Sequence, residues 1–215
     1  MALVALVHAT PTPMAPAARA IATEMPGARL WNLLDDTLIG DAEQAGGLTP
    51  VLRARMRTLI GYATGHGADA VLLTCSMYGP VADEVASAVP VLPSDRALFD
   101  EVARSAAGRV LVLGPAEAGT RDTADRLRAH LGPGPVVHGT AVAGVRDALA
   151  HNDVPLAARL VVAAAREHDA DVVVLGQFSL DPVADAVAAE LAVPVLSPPR
   201  LAARAVRAAL AGVTT

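Results

Sequence analysis

The sequence predicts an α/β protein made of two flavodoxin-like lobes with parallel sheets, related by a pseudo-twofold internal repeat. Three observations lead there. First, the apolar runs are short and continuous rather than alternating, as in strands covered on both faces of a parallel sheet. Second, these runs alternate with stretches of helical 3–4 apolar spacing over the whole length of 215 residues. Third, Ala68-Asp-Ala-Val-Leu-Leu-Thr-Cys-Ser-Met-Tyr-Gly-Pro80 returns 102 residues later as Ala170-Asp-Val-Val-Val-Leu-Gly-Gln-Phe-Ser-Leu-Asp-Pro182. Val89-Pro-Val-Leu92 likewise returns as Val193-Pro-Val-Leu196.

In chain order, Leu3–Val7, Ala70–Leu73, Val110–Leu113 and Val172–Leu175 are predicted strands. Each is partly β-branched and bounded by Gly, Pro, Asp or polar residues. Helices are expected over Val51–Tyr62, Val81–Ser87, Ala97–Ala106, Arg121–His130, Val154–His168 and Val183–Leu191. Two short strands, Val89–Leu92 and Val193–Leu196, follow helices. The repeat extends to the first strands if Leu3–Ala9 is laid over Val110–Ala116. The expected lobes are residues 1–95 and 96–199, with a C-terminal helix over 200–215 that can return to lobe one.

Composition narrows the function. Hydrophobic residues make up 53% and aromatics 2%, so the core is aliphatic. Net charge is −5 with no basic cluster, which speaks against nucleic acid as a partner. The apolar start, Met1–Val7, lacks a charged n-region and is interrupted by His8 and Pro11. It reads as a buried strand rather than a signal or membrane segment, and no membrane partner is expected. Cys75 is the only cysteine, which excludes an intrachain disulfide and a multi-cysteine metal site; the expected compartment is the cytoplasm. All 17 basic residues are arginine. Without lysine, Schiff-base chemistry and a phosphate-loop lysine are excluded. Gly114–Thr120 lacks the spacing of a dinucleotide fingerprint. His66, His130, His138, His151 and His168 are scattered as surface residues. No cofactor and no metal are expected.

Ligands of such sheets bind beyond the carboxyl ends of strands, which gathers four loops: 8–14, 74–80, 114–120 and 176–182. A cleft between lobes would be lined by all four. Cys75 ends one strand between Thr74 and Ser76, and the repeat puts Gln177 in its place. His8 is either a general base or substrate ligand, or a loop histidine bonded to backbone. Tyr78 either lines the site or packs. Asp35 and Asp36 read as a helix N-cap pair before Thr37, with a paired-carboxylate acid/base role, for which no partner is evident, as the alternative.

Thr74-Cys75-Ser76 and Leu175-Gly176-Gln177-Phe178, with His8-Ala-Thr-Pro11, Asn32–Thr37 and Gln177-Phe-Ser179, resemble motifs of the aspartate/glutamate/hydantoin racemase superfamily. Members have two similar lobes, each giving a strand-end cysteine to the active site. The first motif fits. The second departs, with Gln177 at the thiol position and Phe178 at that of a threonine. The resemblance implies a cofactor-independent enzyme acting next to a carboxylate of a small substrate, here with one thiol. Decarboxylation followed by protonation, or nucleophilic isomerisation, fits that chemistry. A racemase with a non-cysteine second base, such as His8, and a non-catalytic carboxylate-binding module are the alternatives. The site residues implied are Cys75 and His8 for catalysis, and Thr10, Thr74, Ser76, Tyr78, Gly114, Thr120, Gln177, Phe178 and Ser179 for substrate. The expected assembly is a homodimer.

Overall fold

A computed structural model describes residues 1–213. Packing divides the chain into two compact units: Met1–Arg96 with the chain from Pro199 onward, and Ala97–Pro198. Each holds a four-stranded, all-parallel sheet.

In unit one the strands are β1 (Leu3–His8), β2 (Arg29–Leu34), β3 (Ala70–Leu73) and β4 (Val91–Leu92), in the order β2-β1-β3-β4. Helices α1 (Met14–Glu24), α2 (Leu38–Gln44) and α3 (Pro50–Gly65) connect them. Thr49 caps α3 by accepting a bond from the Leu52 amide at 3.3 Å, with Pro50 pre-set for the first turn. Helix α3 then buries Leu52, Met56, Ile60 and Ala63, one face at 3–4 spacing. Each of the three large side chains is worth about 1.5–3 kcal/mol of burial. Central strand β3 is buried at all four positions, which explains its unbroken apolar run.

Unit two repeats the plan with α4 (Arg96–Ser105), whose first residue belongs to unit one, then β5 (Arg109–Gly114), α5 (Glu117–Leu131), β6 (Val136–Ala141), α6 (Val145–Ala150), α7 (Val154–Arg166), β7 (Val172–Leu175), α8 (Ala184–Glu190) and β8 (Val195–Leu196). The sheet order is β6-β5-β7-β8. The last helix, α9 (Pro198–Val213), belongs to unit one from its second residue. Arg204 and Arg207 both reach the Glu24 carboxylate at the end of α1.

Pairing corrects the expected match of the first strands by one residue. Val4 pairs with Ala70 and Val110 with Val172, so Val4 corresponds to Val110 and His8 to Gly114. A one-residue slip would have turned every side chain to the other face. The same register is marked by a repeated carboxylate: Asp69 accepts from the Leu3 amide at 2.7 Å, and Asp171 from the Arg109 amide at 2.8 Å.

Other expectations change as well. Val81–Ser87 is not an α-helix; the chain makes a 3-10 turn over Gly79–Glu84. The chain from Phe178 to Val183 also begins as a 3-10 turn before α8. Edge strands β2 and β6 and helices α1, α2 and α6 add to the expected elements. Thr37, rather than an aspartate pair, is the N-cap residue of α2, and Asp35 accepts from its hydroxyl at 2.8 Å. Among the described residues no helix is long and apolar enough to cross a membrane.

Candidate active site

A sheet of order 2-1-3-4 has one place where the chain leaves neighbouring strands in opposite directions, between its first and third strands in sequence. A crevice opens there beyond the carboxyl ends. In unit one these strands are β1 and β3, so the switch point lies between His8 and Thr74-Cys75. In unit two it lies between Gly114 and Gly176-Gln177.

At the unit-one switch point, Thr74 is the last residue tied to β1, its amide bonding the Val7 carbonyl at 3.0 Å. The chain then turns: the Tyr78 amide bonds the Cys75 carbonyl and the Gly79 amide that of Ser76. The amides of Ser76 and Met77 precede the first of these bonds. Cys75 is half-buried.

Behind the thiol the His8 ring is fully buried. Its Nδ1 lies 2.7 Å from Thr74 Oγ1 and its Nε2 2.9 Å from Asn32 Oδ1. Since the Asn32 oxygen only accepts, this network puts the proton on Nε2 and leaves Nδ1 to accept from the Thr74 hydroxyl. Burial pushes the His8 pKa down, the Asn32 bond opposing, and the ring is held neutral. Both nitrogens are bonded within the unit's interior, which counts against the expected role of general base. Thr74 is 3% exposed, with its hydroxyl given to His8 and a second contact to the Val7 carbonyl at 3.3 Å. It is not a substrate donor. Tyr78 is also core: its phenol donates to the Leu38 carbonyl at 2.9 Å. Burial and the nearby Cys75 push its pKa up to about 12. Thr10, Cys75 and Ser76 remain half-buried on this side.

Asp35, at the carboxyl end of β2, carries a cluster that sequence reading missed. Arg55 from α3 holds Asp35 through Nε at 3.2 Å and Nη2 at 2.5 Å, and also meets Thr37 and Asp41. Burial acts to raise the Asp35 pKa, but the bonds from Arg55 and Thr37 outweigh it and keep the carboxyl low.

In unit two Gln177 and Ser179 are half-buried, while Phe178 is 3% exposed and packed as core. Thr120 is buried and donates to the Ala116 carbonyl at 2.7 Å, so its hydroxyl is spent within its own helix. Gly114 is needed because a Cβ there would stand 2.1 Å from Thr120 Oγ1. All three positions are buried within unit two. The Gln177 amide lies over Gly119, where a Cβ would come 2.3 Å from Nε2. Sequence reading missed Gly119; its signal was a glycine in the first turn of a helix. A cavity of about 300 Å³ in this unit is lined by α5 and β6 alone, Thr120 among its walls. Among the described residues no three His, Cys, Asp or Glu side chains gather to hold a metal.

No curated protein matches the chain. Solved structures do. A glutamate racemase isoform from Bacillus anthracis is similar with TM-score 0.76 at 14% identity, over 98% of this chain and 82% of that one. An aspartate racemase from Picrophilus torridus gives 0.71 at 13%, over 98% and 95%. The maleate isomerase of Pseudomonas putida S16 gives 0.69 at 18%, over 98% and 93%. At such identities the likeness is one of fold. The sequence pattern of the Asp/Glu/hydantoin racemase family matches residues 41–206, a range that includes Cys75 and Gln177 and begins beyond His8 and Asn32. The chain belongs to the Asp/Glu/hydantoin racemase family and is a racemase- or isomerase-type enzyme.

Proposed function

We propose that this enzyme works without a cofactor and with Cys75 as its one thiol, transferring a proton to, or attacking, a carbon next to a carboxylate of a small substrate. One observation carries the reading: unit one places a half-buried thiol at its switch point, and unit two places the Gln177 amide at the equivalent position. A two-thiol racemase takes a proton from one face and returns one to the other. An amide cannot move protons near neutral pH, but it hydrogen-bonds well, so Gln177 orients substrate or steadies an oxyanion.

A decarboxylase-type step follows: carbon dioxide leaves, the electron pair stays as an enediolate, and the Cys75 thiol gives its proton to carbon. The thiolate then regains a proton from water. An isomerase-type step uses the thiolate instead, adding to an activated double bond and leaving again after rotation. Both need donors at the developing oxyanion. The Ser76 and Met77 amides and the Ser76 and Ser179 hydroxyls support that role. Buried, doubly bonded His8 counts against the variant in which it is a second base. The same reading takes the protein as a cytoplasmic homodimer. Exposed Val51 and the half-exposed Tyr62, in tilted ring contact with Trp31, support an apolar contact surface.

The test is α-proton exchange with chiral analysis over amino acids, hydantoins, arylmalonates and maleate-like diacids. Cys75→Ala abolishes turnover, and Gln177→Ala lowers it about 10²–10³-fold, the cost of one lost oxyanion donor. Racemisation of an amino acid at ordinary enzyme rates that survives Cys75→Ala overturns the mechanism.

A further inference from the structure

We infer that Asn32, His8 and Thr74 form a positioning chain for Cys75, built only in the half of the molecule that carries the thiol. The inference rests on the reading of Cys75 as the reactive group. Its ground is a comparison the protein makes within itself. Leu6 pairs with Asn32, and Val112 with Gly139; with Val4 matching Val110, Asn32 therefore corresponds to Gly139. His8 corresponds to Gly114 in the same register, and Thr74 to Gly176 through the repeat. Three polar residues in unit one stand where unit two has three glycines.

The glycines are not empty positions. A Cβ on Gly114 would meet the Thr120 hydroxyl, one on Gly139 would come 3.0 Å from the Ala124 Cβ, and one on Gly176 would come 3.0 Å from Val112 Cγ1 on β5 and 3.3 Å from the Thr123 Cγ2. Thr120, Thr123 and Ala124 are on α5, which packs on this floor of bare backbone. The fold thus has an apolar solution for this corner and uses it in unit two. Unit one instead buries a histidine and a threonine, an unfavourable choice unless every polar atom is paired. They are paired: Nε2 donates to Asn32 Oδ1, and Nδ1 accepts from the Thr74 hydroxyl. Such an extra network has no counterpart in the needs of the sheet.

What it fixes is the residue before the thiol. Thr74 is bonded to β1 through its amide and, through His8, to β2, so the point at which Cys75 leaves the sheet is set by three strands. Downstream, the Tyr78 phenol anchors the loop to the Leu38 carbonyl. None of the three chain members is a catalytic group; each acts through the placement of Cys75.

The test compares Thr74→Val, which keeps the shape and removes the hydroxyl, with Thr74→Ser, which keeps the hydroxyl. Asn32→Leu cuts the other end. Each is made in the full chain, and alkylation of Cys75 by iodoacetamide is followed by mass spectrometry, with thermal melts alongside. We expect Thr74→Val and Asn32→Leu to slow labelling at neutral pH about tenfold, as small misplacements of reactive groups do. Thr74→Ser recovers most of the loss. Wild-type rates in both Thr74→Val and Asn32→Leu overturn the chain. So does Thr74→Ser behaving like Thr74→Val, which would make the methyl packing the cause. A wild-type thiol that labels slowly, with a midpoint near the free value of about 8.5, refutes instead the reading of Cys75; the comparison of the Thr74 variants still decides the chain.

Discussion

Gly119→Ala separates what stabilises unit two from what serves the site. The added Cβ would stand 2.3 Å from Gln177 Nε2 but 3.5 Å from its Cδ and 4.0 Å from its Oε1. Only the amide nitrogen is in the way, and ordinary contact is restored once it moves by about 1 Å. The obstacle is the far end of a flexible side chain, so relief is cheap. Against it stands the gain from replacing glycine in a helix, at most about 1 kcal/mol. The expected stability change is thus between about zero and 1 kcal/mol in favour of the variant, a rise of up to a few degrees in Tm. Turnover goes the other way. If the Gln177 amide is the oriented donor, displacing it costs about 10²-fold, as for other lost oxyanion donors. Calorimetry and the exchange assay on the same preparation read both. A variant that melts well below wild type refutes the steric reasoning, because Gln177 would then be held rigidly. One that keeps full turnover refutes the role given to Gln177.

Three further outcomes follow from named contacts. Gly114→Ala puts its Cβ into the Thr120 hydroxyl and destabilises unit two by about 1–3 kcal/mol of overpacking; adding Thr120→Ala recovers part of it, read by denaturant unfolding of the double variant. Gln177→Cys supplies a second thiol and raises racemisation relative to the native reaction; an unchanged product ratio in chiral analysis refutes it. Burial depresses the His8 pKa below the 6.5 of an unfolded chain. The unfolded state therefore takes up the proton first, and this contribution to stability is complete above about 6.5 and lost as pH falls toward the native pKa. His8→Gln should flatten that part of the pH–stability curve; an identical slope in both proteins places the titration elsewhere.

Sequence alone was clear where burial is two-sided and blind where it is not. Strands β3 and β7 are buried at every position and announce themselves as apolar runs. Edge strands β2 and β6 have exposed residues on both sides of the alternation, so Arg29–Leu34 and Val136–Ala141 carry no strong period. Helix α1 was hidden by Pro13 and Pro16 around its start. The repeat located Cys75 and Gln177 because they sit in the same copied segment. It could not show that His8, Asn32 and Thr74 meet, since they are 24 and 66 residues apart and only strand register joins them. Register also decided the one-residue shift of the first strands. For the same reason the roles given to His8, Thr74 and Tyr78 changed: a residue type says what a side chain can do, and its buried partners decide whether it is free to do it.

The return of α9 to unit one has a consequence for how the chain is made. Unit two, Ala97–Pro198, is continuous, while unit one is interrupted by it. During synthesis Met1–Arg96, the larger part of unit one with all four of its strands, emerges early but waits for its closing helix until the whole of unit two has followed. Unit two can therefore fold first, although its sequence comes second. Until α9 arrives, the carboxylate of Glu24 has no Arg204 or Arg207 beside it, and the buried residues of that helix, Ala202, Ala203 and Val206, are missing from unit one. A chain cut before Pro198 loses the closing helix of the unit that holds Cys75 and leaves the unit that holds Gln177 whole, so the unit with the chain's one thiol is the last to be completed.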